Sequence, residues 1–149
     1  MRTTEKYGKK IDAALSMWVK LARAYSTFGR KSNESIRSFG LTEPQFGVLE
    51  TLGHLGPMTI GSLCKKQLVS GGNMTLVVDN LERDKIVRRQ HSAEDRRTII
   101  VELTEKGQKL FDDIFPKHAE DIAKFASVLS EDEIVALSKL LKKLGQALA

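Results

Sequence analysis

The sequence predicts a mainly α-helical protein with one small β-hairpin: a winged helix-turn-helix whose N- and C-terminal helices form a dimerisation layer. Apolar residues recur at helical spacing along most of the chain. Two short helical segments between residues 58 and 83 are separated by only a few residues, as in a helix-turn-helix. Two β-type runs follow over 85–92 and 97–103 and indicate the hairpin, or wing.

Composition and charge narrow the class of protein. The chain of 149 residues fits one domain, and 41% hydrophobic with 29% charged residues is an ordinary soluble composition. Its net charge of +5 is uneven, because residues 1–40 hold nine Lys/Arg against three Asp/Glu while residues 102–133 hold four against nine. Six basic residues fall within 83–97, against three acids. A local basic focus of this kind suits a nucleic-acid partner.

Several other classes are disfavoured. No apolar run reaches the length of about 20 residues that a membrane helix needs, and the N-terminus lacks the apolar core of a signal peptide. A lone Cys64 excludes an internal disulfide framework and a cysteine-rich zinc site. The chain carries none of the common catalytic motifs. We therefore expect a cytoplasmic protein that is not an enzyme and has no cofactor, no metal and no membrane contact.

The N-terminal half is predicted to hold four helices. The first carries an apolar stripe that begins at Ile11 and ends at the helix stop Gly40. Thr42 is a good N-cap for the second, with Pro44 in its first turn, and the segment 53–57 reads as a turn. Thr59 and Ser70 are predicted to cap the third and fourth helices. The inward face of the fourth is expected to consist of Met74, Val77, Val78 and Leu81.

The wing and two further helices complete the chain. Ile86 and Val87 give the first strand its apolar residues, Ile99, Val101 and Leu103 alternate in the second, and the polar segment 92–96 is the expected tip. Thr104 is expected to cap a long helix that Pro116 kinks, and Ser130 begins a capping box for the last helix. The first and last helices carry more apolar surface than one small core requires, which favours a homodimer. The alternative is that these two helices pack on each other within one subunit.

Several segments of this chain, in their order and spacing, match one family. The most specific is DRRTIIVELT at 95–104. In this segment an arginine stands two residues after an aspartate, and Leu-Thr follows after five further residues. Supporting segments are LTEPQFGVL at 41–49, GPMTIGSLCKK at 56–66, VVDNLERDKIVRR at 77–89 and LTEKG at 103–107. Over essentially its whole length the chain resembles the MarR family of winged-helix transcriptional regulators.

The resemblance implies a single domain over 1–149, in which 1–40 and 116–149 are dimerisation helices, 41–104 is the DNA-binding lobe and 105–115 begins a connecting helix. It also implies a homodimer that binds a pseudo-palindromic operator, usually as a repressor released by a small molecule, here a phenolic or other aromatic effector, or by oxidation. The helix from Ser70 would lie in the major groove of double-stranded DNA. Arg97 would reach the minor groove, and Asp95 would orient its guanidinium.

Residue chemistry refines this assignment. Asn73 and Thr75 are the best candidates for base edges, and Leu76 for thymine methyl groups. The two glycines would let backbone N–H groups approach a phosphate, whereas Asp79 and Glu82 are expected to pair within the protein. Any outward residue of this helix could instead belong to a plain solvated face. The predicted DNA-binding residues are Ser70, Gly71, Gly72, Asn73, Thr75, Leu76, Asn80, Arg83, Arg88, Arg89, Asp95, Arg96 and Arg97; Ser62, Lys65, Lys66 and Ser92 are candidates for backbone contacts.

The effector site is less defined. A pocket between the dimerisation helices and the DNA-binding lobe would draw on Trp18, Tyr25, Phe28, Phe46, His54 and Phe111, although aromatic residues at helical spacing are also what a core contains. Cys64 is an alternative, oxidation-sensing site, but a small buried residue fits its position better. His118, Glu120 and Asp121 resemble metal ligands, and a charged solvent face is the better account. The rival class is a helical interaction module that does not bind DNA.

Overall fold

A computed structural model describes residues 6–67 and 71–148 of the chain. The elements in these ranges are α1 (Lys9–Ser38), α2 (Glu43–Leu55), α3 (Ile60–Gln67), α4 (Gly71–Arg83), β1 (Val87–His91), β2 (Ile99–Leu103), α5 (Glu105–Ala126) and α6 (Glu131–Leu148). The two strands form one antiparallel hairpin, with Val87 opposite Leu103 and His91 opposite Ile99. This confirms the predicted mainly helical fold with a small wing. Within the described ranges, no helix is long and apolar enough to cross a membrane.

The core lies between α2, α3, α4 and the hairpin. Its most deeply buried large side chains include Leu49, Leu63, Leu81 and Val101, each 0% exposed. All of the predicted inward positions of α4 are buried, namely Met74, Val77, Val78 and Leu81. The helical spacing of the sequence therefore identified the face that α4 turns to the core.

Side-chain caps fix where the helices begin. The Thr42 hydroxyl accepts a hydrogen bond from the backbone N–H of Gln45, whose side chain returns to the Thr42 N–H in a full capping box. Thr59 caps the start of α3 and Thr104 the start of α5, as predicted, and Ser130 forms its predicted box with Glu133. The predicted cap at Ser70 lies outside the described residues. Pro116 lies inside α5, which continues as one helix to Ala126, and the kink expected there stays a prediction.

The base of the wing is fixed to the helical core at two points. Met58, in the turn before α3, exchanges backbone hydrogen bonds with Val101 of β2, a short bridge that the turn-like sequence did not predict. The turn between α4 and β1, where Lys85 has a positive φ of 61°, is held by the start of α5. There the Thr104 hydroxyl donates to the Lys85 carbonyl at 2.7 Å, and Lys106 Nζ donates to the Asp84 carbonyl at 2.8 Å.

The two terminal helices leave apolar surface uncovered in the single chain. In α1 only Ser35 and Ile36 are buried, while Trp18 is 61% and Tyr25 75% exposed. No residue of α6 is buried, although it carries six exposed large apolar residues: Ile134, Val135, Leu137, Leu140, Leu141 and Leu148. The alternative in which these helices cover each other within one subunit is therefore wrong, because packing of that kind would bury part of α6.

Candidate nucleic-acid interface

The outward face of α4 is free of contacts with the rest of the described chain at its N-terminal end. Gly71 and Gly72 are exposed, and among the described residues a Cβ added to either would meet no atom within 4 Å outside its chain neighbours and its own helix backbone. Neither has the positive φ that would require glycine. Packing against the described residues therefore does not explain their lack of side chains, which leaves bare backbone at the surface.

Polar and apolar groups alternate along the same face. Asn73, Thr75 and Leu76 are exposed, Asn80 is half-buried and Arg83 is exposed. Leu76 is 59% exposed, and the Thr75 hydroxyl donates to the Gly71 carbonyl at 3.0 Å. The predicted base-reading residues thus share one accessible surface, with Arg83 at its C-terminal end beside Asp84.

The arginines of β1 are paired with acidic side chains of the same chain. Arg88 donates to Glu102 on β2, and Arg89 donates from Nη2 to Asp79 at 2.6 Å and from Nη1 to Glu82. Burial lowers the pKa of Arg89, but the hydrogen bonds and charges of Asp79 and Glu82 outweigh it, so its net shift is upward. These guanidinium groups hold the wing to α4 and to itself, and the intraprotein pairing predicted for Asp79 and Glu82 is confirmed.

The tip of the wing is organised by Asp95. Its carboxylate accepts hydrogen bonds from the backbone N–H of Arg97 at 2.9 Å and from the Thr98 hydroxyl at 3.1 Å. The partner predicted for Asp95 was the Arg97 guanidinium, so the contact is with the right residue but with its main chain. An aspartate that closes a turn in this way fixes the backbone from which the next side chains project.

Arg96 and Arg97 are the cations left at the tip. Both are exposed, and neither forms an ion pair within residues 6–67 and 71–148. Their charges are therefore available to an outside polyanion, whereas Arg88 and Arg89 each have an acidic partner. The tight turn holds them at the point of the wing farthest along the hairpin from its base.

The six aromatic residues predicted as an effector pocket lie in separate environments in the single chain. Phe46 is 3% exposed and packs on His118, with ring centroids 4.6 Å apart. His54 instead packs edge-on against Phe111 and Phe115. Phe28 contacts Phe125 at the other end of α5, while Trp18 and Tyr25 are exposed on α1. Phe46 thus belongs to the core of the single chain, the alternative that the aromatic spacing left open.

A buried polar cluster that the sequence did not reveal joins α1 to α5. The Ser35 hydroxyl donates to Asp121 Oδ2 at 2.7 Å and lies 3.2 Å from His118 Nδ1. A hydroxyl has one proton, so His118 Nδ1 must carry the hydrogen of the second contact. His118 is 7% exposed, which corrects the solvent-face assignment. Burial lowers its pKa, while the charges of Glu50 and Asp121 raise it less.

Two alternatives to a DNA-binding site find no support in the part of the chain that the structure describes. No group of three or more His, Cys, Asp or Glu residues is placed to hold a metal ion there. Cys64 is half-buried and packs against the core cluster, as expected of a small structural residue.

A winged helix with an exposed α4 face and, among the described residues, unpaired arginines at its wing tip is the class of fold that DNA-binding proteins use. Comparison with known proteins gives the family. The profile of the MarR family matches residues 41–99, and the chain is 38% identical over 134 residues to the HTH-type transcriptional regulator MhqR of Bacillus subtilis, covering 90% of this chain and 92% of that protein. This chain belongs to the MarR family of transcriptional regulators, which are DNA-binding proteins and not enzymes.

Solved structures agree with this fold. The transcriptional regulator PA4135 superposes with a TM-score of 0.77 at 30% identity, covering 86% of this chain and 94% of its own. Bordetella bronchiseptica BpsR, described for the regulation of its DNA binding by 6-hydroxynicotinic acid, superposes with a TM-score of 0.74 at 29% identity and covers 84% of this chain and 89% of its own. The predicted family and fold are confirmed.

Proposed function

We propose that this protein is a cytoplasmic, homodimeric repressor that binds a pseudo-palindromic operator and is released from it by a small aromatic effector. The observation that carries the proposal is the combination of an uncovered α4 face, bare backbone at Gly71 and Gly72, and unpaired charges at Arg96 and Arg97. In this arrangement α4 enters the major groove and the wing tip reaches the minor groove.

The dimer is supported by the exposed apolar surfaces of α1 and α6. Residues 1–40 and 116–149 would form the shared layer, and 41–104 the DNA-binding lobe of each subunit. A two-fold dimer presents two recognition helices, which explains a palindromic site with half-sites about 10 base pairs apart.

The effector is proposed from a relative and from the chain's own aromatic residues. BpsR is described as regulated by 6-hydroxynicotinic acid, a hydroxylated aromatic acid. In this chain His54, Phe111 and Phe115 form a partly open aromatic cluster on α2 and α5, and Trp18 and Tyr25 are exposed on a helix proposed to face the second subunit. A planar aromatic ligand fits such walls.

A gel-shift titration against the promoter beside the protein's own gene tests DNA binding. Specific binding should fall steeply as salt rises, because phosphate contacts release counterions. Arg97→Ala should weaken it by about 1–3 kcal/mol while the protein stays folded. Failure to shift any operator-like palindrome would favour the helical interaction module instead.

A thermal-shift screen with hydroxylated aromatic acids, including 6-hydroxynicotinic acid, tests the effector. A compound that binds the native state raises its apparent stability, and it should also release the bound operator in the gel shift. If compounds stabilise the protein but leave the operator complex intact, they are not effectors.

A further inference from the structure

We infer, resting on the proposed DNA binding, that α4 recognises thymine methyl groups through an apolar ledge formed by Leu76 and the methyl group of Thr75. Thymine is distinguished in the major groove by its C5 methyl group, which projects from the base edge and is matched by apolar side chains.

The Thr75 hydroxyl already makes a hydrogen bond within α4. It donates its single proton to the Gly71 carbonyl at 3.0 Å, which leaves no donor for a base. Threonine in a helix commonly makes this bond to the residue four positions earlier. Because Cβ carries both groups, the bond turns the hydroxyl to the backbone and leaves the methyl as the group that meets an approaching surface. The structure therefore narrows the roles open to Thr75.

Leu76 is 59% exposed, whereas the apolar residues Met74, Val77 and Val78 around it are buried. Side chains on a helix lean toward its N-terminus, over the residue four positions earlier. For Leu76 that residue is Gly72 and for Thr75 it is Gly71, and a Cβ at either glycine would meet only open space.

Together these residues form a smooth step. Gly71 and Gly72 leave the backbone bare, and the Leu76 side chain and the Thr75 methyl group project from the surface next to them. A base-pair edge can approach over the glycines until its methyl group contacts the ledge. Cytosine at the same place would present an N4 amino donor to the Leu76 side chain and the Thr75 methyl group, neither of which can accept a hydrogen bond, so the ledge favours thymine.

Replacement of thymine by deoxyuridine removes the methyl group and leaves every hydrogen-bonding edge of the base pair in place. DNA duplexes with a randomised central sequence are first selected for binding to the purified wild-type protein. The duplex that binds best is then resynthesised with deoxyuridine in place of thymine at one position at a time. At one or two positions in each half-site, uracil should weaken binding about fourfold, the factor that corresponds to burying one methyl-sized group.

Matched variants assign the effect to the ledge. Leu76→Ala and Thr75→Ser should each bind more weakly and lose the thymine-over-uracil preference at one of these positions, whereas Thr75→Val keeps the methyl and should retain it. Arg97→Ala should weaken binding to both probes by the same factor and leave their ratio unchanged.

The two hypotheses fail in different ways. A wild-type protein that binds its selected duplex specifically, but binds every uracil-substituted version equally well, overturns the ledge alone. A preference that survives in both Leu76→Ala and Thr75→Ser also overturns it. If selection enriches no duplex, the proposed DNA binding fails and the inference fails with it.

Discussion

Gly107 lies so close to Ile86 that a Cβ on the glycine would stand 2.0 Å from the Ile86 carbonyl oxygen. That carbonyl also accepts the backbone N–H of Thr104 at 3.0 Å. The first turn of α5 thereby packs against the turn that joins α4 to the wing, where Lys85 has a positive φ. The LTEKG segment at 103–107 is explained by this contact: a hydroxyl to cap the helix and bond the turn, and no side chain where the two backbones meet.

Gly107→Ala should destabilise the protein by about 1–3 kcal/mol, because the added methyl meets main-chain atoms that cannot rotate away. Urea unfolding, followed by circular dichroism, measures the change. Gly61→Ala is the matched control, since its Cβ would approach only Thr59 Oγ1, at 3.8 Å, and alanine is the better helix former. If the two variants have equal free energies of unfolding, the contact between Gly107 and the Ile86 carbonyl accommodates a methyl group at little cost.

The sequence predicted the structural features that depend on the residues of a single helix or strand. The caps at Thr42, Thr59 and Thr104 and the inward face of α4 are local or periodic features, and each was predicted correctly. Contacts between distant segments were not. Arg89 meets Asp79 ten residues away and Ser35 meets His118 across 83, and nothing in local spacing separates a paired arginine from a free one.

The same limit applies to the site. The outward residues of α4 follow from its periodicity, but the hydroxyl direction of Thr75 and the main-chain partner of Asp95 depend on side-chain rotamers. A sequence motif identifies which residues are involved in a site, but not which of their atoms make the contacts. The aromatic set was predicted as one pocket because composition cannot show that Phe46 turns into the core while Trp18 stays outside.

Arg89 and Arg97 should respond differently to salt when each is replaced by alanine. The Arg89 guanidinium is held by Asp79 and Glu82, so its loss should weaken operator binding by loosening the wing on α4 without changing the salt dependence. Arg97 is proposed to enter the minor groove, where its positive charge lies between the phosphates of the two strands and displaces counterions, so its loss should reduce the slope of log affinity against log salt by about one.

Binding titrations at four or more salt concentrations check this difference. Glu82→Gln is a second test, because it weakens the clamp and leaves Arg89 in place, and it should resemble Arg89→Ala in a milder form. A reduced slope for Arg89→Ala would mean that Arg89 leaves its acidic partners to contact DNA.

His118 should make stability fall as the pH is lowered through the histidine range. Burial depresses its pKa in the folded protein below the ordinary value, against the smaller opposing effects of Glu50 and Asp121. The unfolded chain therefore takes up the proton first, and the stability that neutral His118 contributes is lost as pH falls below about 6.5 toward the folded pKa.

His118→Asn removes this titration and keeps a donor near the position of Nδ1. Unfolding free energies between pH 7.5 and 5 should fall more for the wild type than for this variant, a test range set by the ordinary histidine pKa of about 6.5. His91→Asn, in the exposed wing strand, serves as the control and should follow the wild type. Parallel pH profiles for the wild type and His118→Asn would show that the Ser35 cluster tolerates the charged ring.

Leu137→Asp combined with Leu141→Asp should convert the proposed dimer to monomers. Both side chains are exposed, at 45% and 41%, and no residue of α6 is buried in the single chain, so the charges should not unfold the DNA-binding lobe. Within a dimer they would be forced into an apolar interface, where unpaired carboxylates are costly.

Lys143→Asp is the control for this double variant. It lies on the opposite side of the helix by its spacing, introduces the same residue and should leave the dimer intact. Sedimentation equilibrium gives the mass of each variant; a wild type with the mass of one chain, or a double variant that stays dimeric, would refute the assignment of α6 to the interface.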